Sequence, residues 1–287
     1  MSLSEATIKS YNCCLSKLSK SGWKTAESLQ TNSADVIAHI LAKTVQPTTK
    51  KLYLCACMWL IRSEAPLADV TPYQNTLSEM FKVTKETETN QELRATQQDY
   101  TNWPDILALR DKAKELFGEI HPKYIIYCLY TLQPPVRADY VDMPVVYNWE
   151  NVGQYLNSGD KNVCIHTDTE THWLFQSYKT AKTYGAVTLK APQEIHDILK
   201  PYLRGKPDYL LPQKNASALA NYISAIFQAL LNKKITLTIL RRSYITDWLN
   251  KPRKITEKQE MARRMLHSKN LQEQYAVFDS SSSDGDV

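Results

Sequence analysis

Two arginines, a lysine, a histidine and a tyrosine, carried on four short stretches, could together break and reform a phosphodiester bond. The first stretch is Pro135-Val136-Arg137-Ala138-Asp139-Tyr140, directly after an apolar helical pattern. The second is Tyr178-Lys179-Thr180-Ala181-Lys182, in a turn between two strand-like runs. The third is Thr238-Ile239-Leu240-Arg241-Arg242-Ser243-Tyr244, opening a helical pattern. The fourth is Met265-Leu266-His267-Ser268, with Tyr275 eight residues beyond His267. Transesterification at phosphorus needs a nucleophile, positive charge against the phosphorane, and an acid for the leaving oxygen. A planar guanidinium binds phosphate through two parallel N–H donors and stays charged. Such preorganised charge is usually the largest catalytic term, and losing one donor costs about 10²–10³ in rate. A phenol, with an ordinary pKa of about 10, is a weak nucleophile until it is activated.

Each residue also has a plain structural reading. The chain holds 17 tyrosines, so one tyrosine alone is most simply a core or rim side chain. Arg137 could cap the preceding helix, Arg241 could sit on a solvated basic face, Lys179 could be a solvated turn residue, and His267 a hydrogen-bonded structural histidine. Singly the plain reading is the stronger one for each, and the case for chemistry rests on all five occurring together.

The elements that must position these residues fall into two parts. The first 81 residues read as helices. Ser2 and Glu5 form a capping box, and Ile8, Tyr11, Leu15 and Leu18 follow at helical spacing. A second helix carries Val36, Ile37, Ile40 and Leu41. A third runs from Thr48 to about Ile61, with Leu52, Cys55 and Trp59 on one face. A fourth starts at Thr71-Pro72 as cap and first turn, with Leu77, Met80 and Phe81 inward. Residues 82–100 are polar and poor in large apolar side chains, and read as an interdomain connection.

The second part, 101–279, mixes helices at 105–117, 122–132, 192–203, 217–230, 236–249 and 256–266 with strands at 163–166, 173–178 and 186–189. The last two strands alternate and flank a turn at 180–185, which predicts an antiparallel hairpin. Residues 280–287 are Ser-rich and acidic and read as a disordered tail. The expected fold class is mainly α with a small antiparallel sheet.

Composition narrows the function classes. The chain has 287 residues, enough for two ordinary domains, and 43% of them are apolar, enough for a real core. Its seven glycines form no phosphate loop, which argues against an ATP-driven or dinucleotide enzyme. No apolar run reaches the roughly 18 residues a bilayer span needs, and no basic-then-apolar leader opens the chain. The six cysteines form no C-x-x-C pair and have no histidine cluster at metal spacing, so they read as reduced core residues of an intracellular protein. The net charge of +5 is a weak signal by itself. Between 233 and 269, however, 11 Lys or Arg face three acidic residues, Asp247, Glu257 and Glu260. This local excess is the footprint of a phosphate-backbone binder, although two solvated helix faces would also produce it.

In order and context the four stretches resemble the catalytic domain of the tyrosine recombinases, or phage-type integrases. The resemblance covers about 101–279. It extends more weakly to 1–81, which look like that family's helical core-binding, DNA-binding domain. It implies that Tyr275 attacks a backbone phosphate to form a 3′-phosphotyrosyl bond. Arg137 and Arg241 would hold the non-bridging oxygens, Lys179 would protonate the 5′-oxygen, and His267 would position or deprotonate in the phosphate site. It also implies double-stranded DNA as partner, a homo-oligomer (a tetramer) on that DNA, no membrane, no cofactor and no metal, in the cytoplasm or nucleus of a host cell, for a mobile element or virus. The chain departs from the family at four points. Thr238 stands where the family has a histidine, Tyr140 where it has an acid (Asp139 is one residue early), Leu266 where it has a glycine, and the gap from His267 to Tyr275 is short.

Other functions stay open on sequence alone. A type IB topoisomerase shares this chemistry, and a recombinase-fold DNA-binding protein with a decayed site would accommodate Thr238 and Tyr140. A helical protein–protein adaptor is disfavoured by the basic excess.

Overall fold

A computed structural model describes residues 3, 5–43, 45–82, 101–156 and 159–267. The chain divides into two compact units, Met1–Arg94 and Ala95–Val287. The expected connection at 82–100 contains that boundary, but 83–100 lie outside the described residues, as do Ser2 of the expected capping box and the tail.

The first unit is helical: α1 (Glu5–Ser19), α2 (Ala26–Thr31), α3 (Ser33–Ala42), α4 (Pro47–Glu64) and α5 (71–82). Helix α4 is the hub. It buries Tyr53, Leu54, Ala56, Cys57 and Ile61 against Leu18, Leu29, Val36, Ile40 and Tyr73. The expected Leu52, Cys55 and Trp59 face is only half-buried. Helix α4 packs against α1, α2 and α3, so its apolar arc is wider than one stripe and its centre falls one position away from the predicted face. Asp69 Oδ1 accepts from the Thr71 N–H at 2.8 Å, so the start of α5 is capped from before Thr71. Tyr73, which the sequence pattern overlooked, donates its buried hydroxyl to the Leu29 carbonyl at 2.6 Å. Phe81, expected inward, is exposed.

The second unit opens with α6 (Trp103–Leu107) and α7 (Arg110–Phe117), where the sequence suggested one helix at 105–117. The ladder breaks at 108–109, where the Leu109 N–H reaches only the Ile106 carbonyl at 3.4 Å. The break lets α6 bury Trp103 and Ile106 while α7 separately buries Ala113. Helix α8 (Pro122–Thr131) is the core: every side chain from Tyr124 to Thr131 is buried. Pro122 sits in its first turn, and His121 accepts from the Lys123 N–H at 3.1 Å. The helix stops before Pro134-Pro135, because a proline cannot extend the ladder.

The sheet has four strands in the order β1 (Val145–Val146), β2 (Val163–His166), β3 (Thr171–Phe175) and β4 (Val187–Lys190). It is mixed, which corrects the expectation of a purely antiparallel sheet: β1 pairs parallel to β2, and β2–β3 and β3–β4 are antiparallel. Two residues of β1 are too short for alternation to announce them. Strand β2 is buried at all four positions. Its Cys164 joins the main core with Trp173 and Phe175 of β3, while Val163 and Ile165 join Leu174 in a second cluster on the opposite face. The predicted hairpin is present as β3–β4, with α10 (Ala181–Tyr184) inside its connection. A short helix α9 (Gly153–Leu156) precedes β2. Helices α11 (Gln193–Tyr202), α12 (Ala216–Leu231), α13 (Leu237–Leu249) and α14 (Ile255–Arg264) complete the unit. No helix among the described residues is long and apolar enough to cross a membrane.

Candidate phosphate-binding site

The site forms around the C-terminal end of α14. That helix packs on α13 through Met261 and Met265 against Ile245, with Tyr244 and Trp248 at the rim. Its chain reverses in a Schellman arrangement: the His267 N–H bonds the Ala262 carbonyl at 3.1 Å and the Leu266 N–H the Arg263 carbonyl at 3.1 Å. Leu266 is therefore left-handed, with φ 54°. This is the position at which the resembled family carries glycine. The leucine accepts the strained backbone, at about 1 kcal/mol, while burying its side chain in the main core.

The last carbonyls of a helix need donors and carry partial negative charge. Here they gather the two predicted arginines. Arg241 is 2% exposed. Its Nη1 donates to the Pro135 carbonyl at 2.5 Å, and Nη1 and Nη2 each reach the Met265 carbonyl at 3.4 Å. Arg137 Nη1 donates to the Leu266 carbonyl at 3.0 Å. Thr180 Oγ1 donates to the same carbonyl at 3.3 Å, which brings in the loop that carries Lys179. Stretches 129 residues apart thus meet on one helix end.

Arg137 is fixed at its own backbone. Its N–H bonds Asp139 Oδ2 at 2.9 Å, and its carbonyl accepts from the Tyr130 hydroxyl at 2.7 Å. Asp139 therefore braces the arginine loop, and Tyr140 does not. Tyr140 is buried edge-on between Tyr130 and Trp173, its oxygen accepting from Gln133 Nε2 at 2.6 Å. Burial raises the Asp139 pKa, opposed by the Arg137 N–H and by the charges of Arg137 and Arg241. Arg137 is half-exposed, so its guanidinium is reached by solvent on the side away from the Leu266 carbonyl.

His267 is 3% exposed, with Nδ1 at 3.3 Å from Arg241 Nη2. Burial, and then the charges of Arg241 and Arg137, push its pKa down to about 3. The ring is neutral at neutral pH. Because the guanidinium can only donate, Nδ1 accepts and the ring proton sits on Nε2. Nε2 is buried from solvent, and positioning is the role the surroundings of His267 fit. A cavity of about 370 Å³ opens beside it, lined also by Tyr178, Tyr184, Gln259 and Arg263.

Two predicted residues are not among those gathered at this helix end. Lys179 is exposed on the hairpin connection, and Tyr275 lies outside the described residues. Thr238 is exposed in the first turn of α13, and Arg242 is half-buried beside the fully buried Arg241. Sequence reasoning missed Tyr130, Thr180 and Asn162. Thr180 lies inside the Lys179 stretch but was given no role there, and only their neighbourhood to the motifs could have suggested Tyr130 and Asn162. No protein-family model matches the chain, and no curated protein matches it.

Proposed function

We propose that this chain cleaves and rejoins DNA strands through a phosphotyrosyl intermediate, as a site-specific recombinase or integrase of a mobile element or virus. One observation carries the reading: Arg137, Arg241 and His267 converge on the end of α14 from three separate stretches. Two guanidiniums gathered at one helix end beside a neutral imidazole supply preorganised positive charge suited to a phosphate passing through a phosphorane.

In the reaction, the Tyr275 phenolic oxygen bonds phosphorus as the bond from phosphorus to the 5′-oxygen breaks. The phenol proton leaves to water, and Lys179 gives a proton to the departing 5′-oxygen. Attack by a 5′-hydroxyl reverses these steps and releases the tyrosine. The phosphodiester energy is kept in the covalent intermediate, so the cycle draws on no cofactor. The basic excess at 233–269 supports duplex DNA as the partner, bound as an oligomer whose protomers act on paired strands.

The test is covalent capture on nicked duplexes tiled across the DNA that carries the gene, without added metal, read on a denaturing gel. A protein–DNA adduct is expected, and Tyr275→Phe should abolish it while leaving DNA binding nearly intact. A second reading, a DNA-binding protein of the same fold without strand cleavage, is favoured by the exposed Thr238 in place of a titratable side chain. Salt-sensitive binding with no adduct on any tile would select it. Relaxation of supercoils without site preference would select a topoisomerase.

A further inference from the structure

A single buried amide joins the two loops that carry the arginine and the lysine. Asn162, 7% exposed at the start of β2, donates from Nδ2 to the Asp139 carbonyl at 2.9 Å. Its Oδ1 accepts from the Gln176 N–H at 3.0 Å and from the Ser177 N–H at 2.9 Å. Asp139 lies two residues after Arg137 and braces it, and Ser177 lies two residues before Lys179. The amide uses a donor on one loop and an acceptor on the other, an arrangement that neither a carboxylate nor an aliphatic side chain can reproduce.

We infer that Asn162 is a positioning residue that sets the spacing between the phosphate-binding Arg137 loop and the Lys179 loop. This rests on the function proposed above. The neighbouring contacts show why the load falls on Asn162. Past Phe175 the chain leaves strand β3, and the backbone N–H groups of 176 and 177 are held by Asn162 Oδ1. Gln176 extends the same clamp, with Nε2 donating to the Tyr155 carbonyl at 2.8 Å and to the Lys161 carbonyl at 2.7 Å. Thr180 fixes the far side of the loop on the Leu266 carbonyl. Lys179 thus stands between two anchors. One leads through Asn162 to the Arg137 loop, and the other leads to the end of α14 where Arg137 also binds.

Two substitutions separate the arms. Asn162→Asp keeps an acceptor for the Gln176 and Ser177 N–H groups but sets an oxygen against the Asp139 carbonyl, so the Arg137 arm alone is lost. Asn162→Ala loses both arms. Misplacing a catalytic group by about 1 Å costs on the order of 10²-fold in rate. The experiment compares adduct formation at saturating DNA, using the nicked duplex captured by the unaltered chain and a copy whose leaving 5′-oxygen is replaced by sulfur. A thiolate leaves without protonation, because a thiol has an ordinary pKa of about 8.5.

Both variants are expected to lower the rate about 10–100-fold, with the DNA dissociation constant changed less than threefold. The sulfur duplex should restore part of the loss in Asn162→Ala and none of it in Asn162→Asp. A wild-type rate at saturating DNA in a variant whose thermal stability has fallen would show a purely structural role and overturn the inference. So would equal rescue, or equal lack of rescue, in both variants. Absence of any adduct from the unaltered chain would instead overturn the proposed function, and the inference with it. Thermal melts of both variants identify a chain that has not folded, and in that event Gln176→Ala, which leaves Asn162 in place but removes its flanking clamp, is expected to show the weaker form of the same rate loss; a full wild-type rate there would also overturn the inference.

Discussion

The arginine side and the lysine side of the site are built on opposite principles. Arg241 and His267 are buried inside the second unit, bonded to helix-end carbonyls and to each other. Lys179 is exposed on a connection anchored by neighbours on either side. The buried guanidinium is therefore part of the core and also supports the fold, whereas Lys179 is a surface side chain whose placement depends on its loop. A buried guanidinium cannot be removed without disturbing structure. An exposed lysine can be.

The largest effect that sharpens this contrast is Arg241→Ala. It leaves the Pro135 and Met265 carbonyls without their charged donor and opens space in the core, at about 3 kcal/mol. The adduct-forming rate should fall about 10²–10³-fold, and by much less in Arg242→Ala, whose side chain is half-buried rather than fully buried. Lys179→Ala should reduce the rate about 10²-fold or more while stability moves by about 0.5 kcal/mol at most. Urea denaturation beside adduct kinetics reads both quantities. Equal stability losses for Arg241→Ala and Lys179→Ala would break the comparison.

Another effect concerns pH. The His267 pKa is lowered in the folded chain from 6.5 to about 3, by burial first and then by Arg241 and Arg137. A base whose folded pKa lies below its unfolded value contributes stability that is fully present above the unfolded pKa. That stability is lost as pH falls from about 6.5 toward 3. His166, lowered to about 4 by burial, by His196 stacked on it at 4.9 Å, and by Lys200, adds a loss of the same sign. Unfolding free energy should therefore decline between pH 6.5 and 4, with His267 contributing on the order of a few kcal/mol by full protonation. His267→Asn, which keeps an acceptor for Arg241 but does not titrate, should decline less steeply. An unchanged slope would show that burial and the two arginines do not lower the His267 pKa in the folded chain.

The smallest effect lies at Leu266. Replacing it with glycine relieves the left-handed backbone, worth about 1 kcal/mol, but removes a buried leucine worth roughly 2–3 kcal/mol. The net expectation is a loss of about 1–2 kcal/mol in the urea midpoint analysis. A gain in stability would mean that backbone strain outweighs packing there.

Much of this was legible in the chain itself. Period-3.6 patterns located α8 and α11 to α14 to within a few residues, because their apolar positions and prolines mark faces and ends. The hairpin followed from alternation. Arg137, Arg241 and His267 stood out because their residue types suit phosphate, and the structure brings these three together. Asp139 was legible as a brace because it is local to the arginine. The split of α6 from α7 was not legible, nor was the parallel pairing of β1. The first depends on which directions the core demands, and the second on a two-residue contact with a distant strand.

What the sequence determined by itself was therefore the inventory: helices with one short sheet, a polar stretch between two apolar parts, a local excess of cations, and side chains of types suited to phosphate. These follow from local periodicity and side-chain chemistry, which need no partner. Tertiary structure alone decided that Arg241 and not Arg242 is buried against His267, that Leu266 turns left-handed at the end of α14, and that Asn162 holds Asp139 to Ser177. Each depends on groups far apart in the chain competing for the same few carbonyls and N–H donors, and only the folded chain brings them within hydrogen-bond reach.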